Sequence, residues 1–137
     1  MKKNKVYTLF FIITALSIFF YKSIFFDIEF NSELWKKNEN IRYKMMDDVI
    51  DNCLFIGKAK SDIRNLLGTD CFKVQNDSLF ERSKVLSYIV KTEKKGLNNI
   101  QFHFFNIEFT NNKVVSIEYY NPNDEKDRKC SSPLHEE

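Results

Sequence analysis

The hydrophobic pattern begins with one long apolar run. Residues 6–21 are almost entirely apolar, and after Lys22 the run continues through residues 23–26. The run is apolar on all sides, so it lacks the polar face of a surface helix, and a helix of about 20 apolar residues crosses a bilayer. The pattern therefore predicts a signal anchor in residues 1–26. It would contact the membrane through residues 6–26, with Lys22 extending its side chain to the membrane surface.

The charges on either side of this run predict its orientation. Three lysines precede it, and three acidic residues follow it before position 34. Basic residues are retained on the cytoplasmic side, so we expect a single-pass inner-membrane protein whose body is periplasmic or extracytoplasmic. A cleaved signal peptide is the alternative. Large aromatic residues at positions 19–21 and 25–26 disfavour it, because cleavage requires small residues.

Residues 31–52 have the pattern of one long amphipathic helix. Asn31 is suited to cap it, and Phe30 to pack against Trp35. Apolar side chains recur along it at helical spacing and form one stripe: Leu34, Ile41, Met45, Met46, Val49, Ile50, Cys53 and Leu54. Two interpretations stay open for Trp35 and the methionines. They pack onto a sheet, or they line a groove for a partner.

A second, shorter helix is predicted between Gly57 and Gly68. Ser61 is the expected N-cap. The negative charge of Asp62 in the first turn interacts favourably with the positive end of the helix dipole. Gly68 supplies the left-handed residue that ends such a helix.

From Cys71 onward the apolar residues alternate with the period of a strand. Strands are expected at 71–74, 85–90, 100–109 and 114–120, with a tight turn at Asn111-Asn112 between the last two. In the third strand both side-chain parities are apolar. This predicts a bulge near Phe104-Phe105 or cover on both faces, and the aromatic cluster is either core or a binding surface.

Together these elements predict an α+β fold. The N-terminal transmembrane helix is followed by two helices packed on a small antiparallel sheet of three to four strands. The expected boundaries are a cytoplasmic stub and signal anchor in residues 1–26, a folded domain in 27–120, and a flexible, solvated tail in 121–137.

Charge and composition exclude several functional classes. Residues 1–26 hold four of the 21 basic residues and none of the 19 acidic ones, so the rest of the chain has a net charge of −2. A slightly acidic body disfavours nucleic acid as a partner. Three scattered glycines also exclude the clustered glycines of a P-loop or a dinucleotide-binding fingerprint.

The cysteines and histidines do not predict a metal site or a cofactor. Cys53, Cys71 and Cys130 form no Cys-x-x-Cys motif, and only His103 and His135 could join them. In an oxidising compartment Cys53 and Cys71 are able to form a disulfide, which would leave Cys130 unpaired. Cys53 is equally interpretable as a small buried apolar residue.

No catalytic set is predicted either. His103 lies within a strand and His135 in the tail, so neither is placed as a base for a nucleophile. Asp47 and Asp48 are adjacent on a helix and their carboxylates diverge by about 100°. Asn76-Asp77-Ser78 matches a glycosylation sequon, which has meaning only in a eukaryotic secretory pathway.

A short helix bounded by glycines and followed by a hairpin resembles part of a known domain. Its residues are Gly57, Ile63, Leu66, Leu67 and Gly68, then Phe109-Thr110-Asn111-Asn112-Lys113-Val114. Over about residues 27–120 this order resembles the BamE/SmpA/OmlA-like domain, although Asp70 stands where the family has proline. The resemblance implies a two-helix layer on a small antiparallel sheet in the periplasm, contact with a protein assembly machine and no enzymatic activity. The chain lacks the family's lipidation cysteine, which favours the inner membrane.

Three functional hypotheses follow. The favoured one is a non-enzymatic, membrane-tethered envelope protein whose periplasmic domain binds a protein partner. The alternative is an immunity-type protein that neutralises a toxin delivered to the periplasm. A small hydrolase that uses His103, Ser61 or Cys71 is the third. The sequence predicts no partner identity and no oligomeric state.

Overall fold

The computed structural model describes residues 7, 11–17, 27–74, 76–124 and 128–133. Helices occupy the first part of the chain and a four-stranded antiparallel sheet the second, which confirms the α+β class. The predicted anchor at 6–26 lies mostly outside the described residues. Within the described ranges no helix combines the length and the apolar character needed to span a bilayer.

Three short elements replace the predicted long helix. They are α1 (Ser32–Lys37), a 3₁₀ helix (Glu39–Met45) and α2 (Met46–Asp51). Asn31 caps α1 as predicted, because its side-chain oxygen accepts a hydrogen bond from the Leu34 N–H at 3.0 Å.

Asn38 is the reason that the single-helix prediction is wrong. Its backbone is extended, with φ −140°, and its side chain accepts a hydrogen bond from the Asn40 N–H at 3.1 Å. Asparagine competes in this way with the helical hydrogen bonds, so it ends α1 and caps the next element.

Two further helices lie before the sheet. The first, α3 (Lys60–Leu67), begins one residue before the predicted cap Ser61, and the Asp62 carboxylate accepts a hydrogen bond from the Ala59 N–H at 3.2 Å. Gly68 ends α3 with φ 82°, as predicted. The second, α4 (Asp77–Arg82), was not expected from the pattern. Asn76 of the sequon-like tripeptide caps it by accepting from the Leu79 N–H at 2.9 Å.

The sheet has the strand order β1-β2-β3-β4. Its strands are β1 (Val85–Lys94), β2 (Ile100–Thr110), β3 (Lys113–Tyr120) and β4 (Arg128–Ser131). Asn111 and Asn112 both have positive φ, at 51° and 62°, which confirms the predicted tight turn. The four residues of β4 lie in the segment expected to be a solvated tail, and that expectation is wrong for them.

The strand predicted at 71–74 is absent, and the chain turns there. Lys73 has φ 63°, which ends any extended segment. The Phe72 N–H donates to the Ser87 carbonyl of β1 at 2.7 Å, so the segment lies beside the sheet and does not extend it.

The helices pack on one face of the sheet around Trp35. Its ring is fully buried and meets Tyr88 and Phe105 edge-on, with centroid separations of 5.9 and 6.0 Å. Met45 and Met46 are buried in the same core. Packing onto the sheet is therefore the correct interpretation of Trp35 and these methionines. Phe30 lies against Trp35 at 6.2 Å, as predicted.

The two parities of β2 have different environments. Phe105 and Ile107 face the helices and are buried, whereas Phe102 on the opposite face stays 37% exposed. A register shift does occur near Phe104, but the extra residue belongs to β1, between Ile89 and Lys91. The bulge is therefore in the neighbouring strand.

A disulfide joins Cys53 to Cys130, with a Cα–Cα distance of 5.8 Å. Neither interpretation left open for Cys53 is correct, a disulfide with Cys71 or a small buried apolar residue, and the expectation that Cys130 stays unpaired is wrong. Cys71 lies beside β1 and Cys130 lies in β4, at opposite edges of the sheet. Arg128 of β4 also contacts α2, where one guanidinium nitrogen is 2.6 Å from the Asp51 carboxylate.

Reduction of this disulfide will lower the free energy of unfolding. The bond closes a long loop, with a sequence separation of 77. We therefore expect a loss of about 2–4 kcal/mol in the full chain in detergent, measured by urea unfolding with and without reductant. The double variant Cys53→Ser/Cys130→Ser is the control, because reductant should not change its unfolding. Identical midpoints for oxidised and reduced wild type would contradict the pairing.

Candidate functional site

The outer face of the sheet, opposite the helices, carries a group of aromatic side chains. Ile89, Phe104 and Tyr120 lie directly opposite one another on β1, β2 and β3. The ring of Phe72 packs against Phe104 at 5.2 Å, and that of Phe102 lies 6.2 Å from Phe104. We call these five residues the outer aromatic patch.

Solvent reaches much of this patch. Phe72 is 39% exposed and Tyr120 is 42% exposed. Single exposed apolar side chains are common on protein surfaces, but contiguous ones mark interaction sites. Aromatic side chains are also enriched in the centres of protein interfaces, since each supplies a large apolar area with few rotatable bonds.

A groove borders the patch along the edge of β1. It consists of one cavity of about 320 Å³ and a second of about 170 Å³, and both are lined by Glu39, Ile89 and Thr92. Phe72 of the outer aromatic patch also lines the larger cavity. Tyr43 of the 3₁₀ helix lines the smaller one. The groove and the patch therefore form one continuous surface.

Arg42 lies at the base of the larger cavity and is only 3% exposed. Its Nε donates to the Trp35 carbonyl at 2.9 Å and its Nη1 to the Ile89 carbonyl at 3.3 Å. The guanidinium also lies 5.1 Å from the centroid of the Trp35 ring. Among the described residues no carboxylate lies within 4.0 Å of it. Arg42 is thus a buried cation held by carbonyls and a ring.

The thiol of Cys71 lines the same cavity but is buried. Burial raises its pKa to about 11, so the thiol is protonated at neutral pH. Because the thiolate is the nucleophilic form, this environment disfavours nucleophilic chemistry at Cys71.

A polar cluster surrounds His103 on the helix-facing side of the sheet. Its Nδ1 lies 3.1 Å from the Tyr119 hydroxyl oxygen and its Nε2 lies 3.6 Å from a Glu93 carboxylate oxygen. Desolvation lowers the pKa of His103, and burial raises that of Tyr119 to about 12. Hydrogen bonds from Lys91 and then Asn123 lower the pKa of Glu93 to about 2.

This cluster has the composition of a general base with its orienting groups, but a substrate has no access to it. His103 is only 2% exposed, so a substrate does not reach its ring without rearrangement. Asn123 joins the cluster through a 3.0 Å hydrogen bond to Glu93 and ties the segment after β3 to β1. The geometry supports a structural role for this network.

The residues considered for hydrolysis are placed apart. Ser61 is exposed on α3, and no hydrogen bond among the described residues connects Ser61, Cys71 and His103. His135 lies outside the described residues. In the part of the chain that the structure describes, no group of three His, Cys, Asp or Glu side chains is arranged to hold a metal ion.

The aspartate pair diverges as predicted. Asp48 accepts a hydrogen bond from the Phe30 N–H at 2.7 Å, whereas Asp47 forms an ion pair with Arg128. Both contacts hold chain segments together.

Comparisons with protein-family models, curated proteins and solved structures found no match. The sequence indicated the aromatic cluster of β2 as a possible binding surface. It did not indicate Arg42 or Thr92 as binding residues, because Arg42 is one of several charged residues between Lys36 and Asp51 and nothing in the pattern marks it as buried.

The buried histidine makes stability depend on pH. The unfolded chain, in which histidine has its ordinary pKa of 6.5, takes up a proton before His103 does in the folded state. The free energy of unfolding therefore decreases as the pH falls through 6.5 and is restored as the pH rises.

The variant His103→Gln should lose this dependence between about pH 7.5 and 5, because the glutamine side chain that replaces the buried imidazole does not ionise. Urea unfolding at several pH values measures the slope. His135→Gln is the control and should keep the wild-type slope. An unchanged slope in His103→Gln would show that His103 does not carry the effect.

Proposed function

We propose that this chain is a non-enzymatic, membrane-tethered protein of the cell envelope whose folded domain binds a protein partner through the outer aromatic patch. One observation carries the proposal. The helices cover a single face of the sheet, and three large aromatic side chains on the other face, Phe72, Phe102 and Tyr120, remain more than one-third exposed.

The exposed rings of the outer aromatic patch favour association with a partner. Water in contact with them is released when a partner covers them, at about 25 cal/mol per Å² of apolar area. The patch adjoins a groove that contains charged and backbone groups, which gives the apolar centre and polar rim typical of protein interfaces. This combination favours a protein surface over a small apolar ligand.

The disulfide supports the location. Cys53 and Cys130 are paired, and such bonds persist in extracytoplasmic compartments but are rare in the cytosol. An apolar N-terminal run of transmembrane length, preceded by lysines, is consistent with a body held outside the cytoplasmic membrane.

The proposed tether also affects the affinity that is needed. A domain held at the membrane surface meets membrane-bound partners at a high effective concentration, so a weak interface is sufficient. The resemblance to the BamE/SmpA/OmlA-like domain agrees with this proposal, because that resemblance implies binding by contact without catalysis.

Site-specific photo-crosslinking tests the proposal. A photoreactive phenylalanine analogue at position 102 should form a discrete covalent adduct with one envelope protein in the native cells. The same analogue at Glu108 is the matched control, since it lies on the same face of β2 about 20 Å away, outside the patch.

Adding Phe72→Ser to the chain that carries the probe at position 102 should reduce the adduct severalfold, because part of the apolar contact is removed. Circular dichroism and urea unfolding confirm that the fold is kept. Equal adducts at positions 102 and 108, or none at either, would contradict the proposed surface.

A further inference from the structure

We propose that the partner supplies an extended peptide segment that adds to the open edge of β1 and places a carboxylate on Arg42. This inference rests on the proposed function, because it names the chemistry of the partner at the same surface. Four observations support it: a half-covered edge, a bulge, a groove and an unpaired buried cation.

The first half of the β1 edge is already occupied. The Phe72 N–H donates to the Ser87 carbonyl at 2.7 Å, and Arg42 donates to the Ile89 carbonyl at 3.3 Å. Both bonds come from outside the sheet, so the peptide groups of Ser87 and Ile89 face the edge and not β2.

The bulge resets this alternation. After the shift at Val90, Lys91 lies opposite His103 and Glu93 lies opposite Gln101. Along the central strand β2 the backbone N–H and C=O groups point alternately toward β1 and toward β3, and those of His103 and Gln101 point toward β1. Their partners Lys91 and Glu93 therefore turn their own backbone groups toward β2. The backbone groups of Thr92 therefore face the open edge.

Lys94 follows the same alternation, so the edge offers two consecutive hydrogen-bonding positions. In the described ranges no backbone hydrogen bond from outside the sheet reaches Thr92 or Lys94. An edge strand with unpaired N–H and C=O groups is a template for a further strand, and extended peptides bind other domains in this way.

The groove has the place and shape for such a segment. Thr92 lines both cavities, so the groove follows the open edge between β1 and the 3₁₀ helix. Side chains of an extended peptide alternate. One set would lie toward Phe72 and Phe102 of the outer aromatic patch, and the other toward Tyr43 in the smaller cavity.

Arg42 specifies the chemistry of one position. Buried charged side chains are normally paired, yet this guanidinium has only carbonyl and ring contacts among the described residues. A carboxylate that enters the larger cavity would supply the missing partner and form a charge-assisted hydrogen bond.

The other charged residues that line the two cavities narrow the choice of anion. Glu39 and Asp70 are acidic, whereas Lys73 and Lys91 are basic, and Lys91 is already paired with Glu93. Two carboxylates beside the cavity disfavour a doubly charged phosphate by repulsion. A single carboxylate, from an acidic side chain or from a peptide C-terminus, suits the site better.

Selection from a random library of peptides of about nine residues tests the inference, with the full chain in detergent as the target. Selected peptides should share a carboxylate at one fixed position. Thr92→Pro should weaken their binding roughly tenfold or more, because it removes an edge N–H that contributes a hydrogen bond. The fold is kept, since proline is tolerated at an edge position whose N–H faces solvent.

Two controls separate this effect from structural damage. Thr92→Val keeps the N–H and should bind as wild type does. In the peptide, N-methylation at alternate residues should abolish binding, whereas N-methylation at the intervening residues should not. The N-methylation experiment needs no protein variant, so it tests the edge pairing even if Thr92→Pro fails to fold.

Two further arms identify the source of the carboxylate. Amidation of the peptide C-terminus weakens binding severalfold if the chain end contacts Arg42, and Asp→Asn or Glu→Gln weakens it if a side chain does. Arg42→Lys should weaken the binding of carboxylate-bearing peptides but leave the weaker binding of their amide counterparts unchanged. Selected peptides without a shared carboxylate would overturn the role of Arg42.

The failures are distinguishable. If no peptide is selected, or binding ignores both Thr92→Pro and N-methylation, the edge proposal is wrong. The crosslinked adduct at position 102 would then still support the proposed function. A dimer of the full chain that Thr92→Pro dissociates would assign the edge to a second copy and overturn the partner peptide.

Discussion

The burial of Trp35 between the helices and the sheet is the contact on which the rest of the structure depends. Its ring meets Tyr88 of β1 and Phe105 of β2, and burial of a side chain of this size contributes about 5 kcal/mol of transfer free energy. The same residue positions Arg42, because its carbonyl accepts from Nε and its ring lies beneath the guanidinium. Trp35 therefore contacts both the core residues and Arg42 of the candidate site.

The two edges of the sheet differ in how far they are covered, and the candidate binding residues lie at the less covered edge. The β4 edge is tied to the helices by the Cys53–Cys130 disulfide and by Arg128. The β1 edge is covered only as far as Ile89, where Arg42 ends the cover. Lysines on the exposed half of β1 oppose uncontrolled pairing with other strands. A groove, an open edge and an aromatic face consequently meet at one place.

The sequence predicted the features that local chemistry determines. Asn31 caps α1, Asn111 and Asn112 form the hairpin turn, and Gly68 ends α3 because each conformation is specified by a few neighbouring atoms. The missed features depend on distant contacts. Cys130 pairs with Cys53 only because β4 joins the sheet beside α2, and Arg42 becomes a buried cation only when Trp35 and β1 meet. Periodicity along the chain contains no signal for such contacts.

The most direct test of the account is carbene footprinting of the full chain, first purified in detergent and then in native membranes. We expect strong labelling of Phe102 and Tyr120 in the purified chain and protection of both in membranes that contain the partner. Trp35 and Phe105 should be protected in both samples. Equal labelling of the two faces of β2 in the purified chain would contradict the one-sided packing. Unchanged labelling of Phe102 and Tyr120 in native membranes would contradict the role of the exposed face in binding.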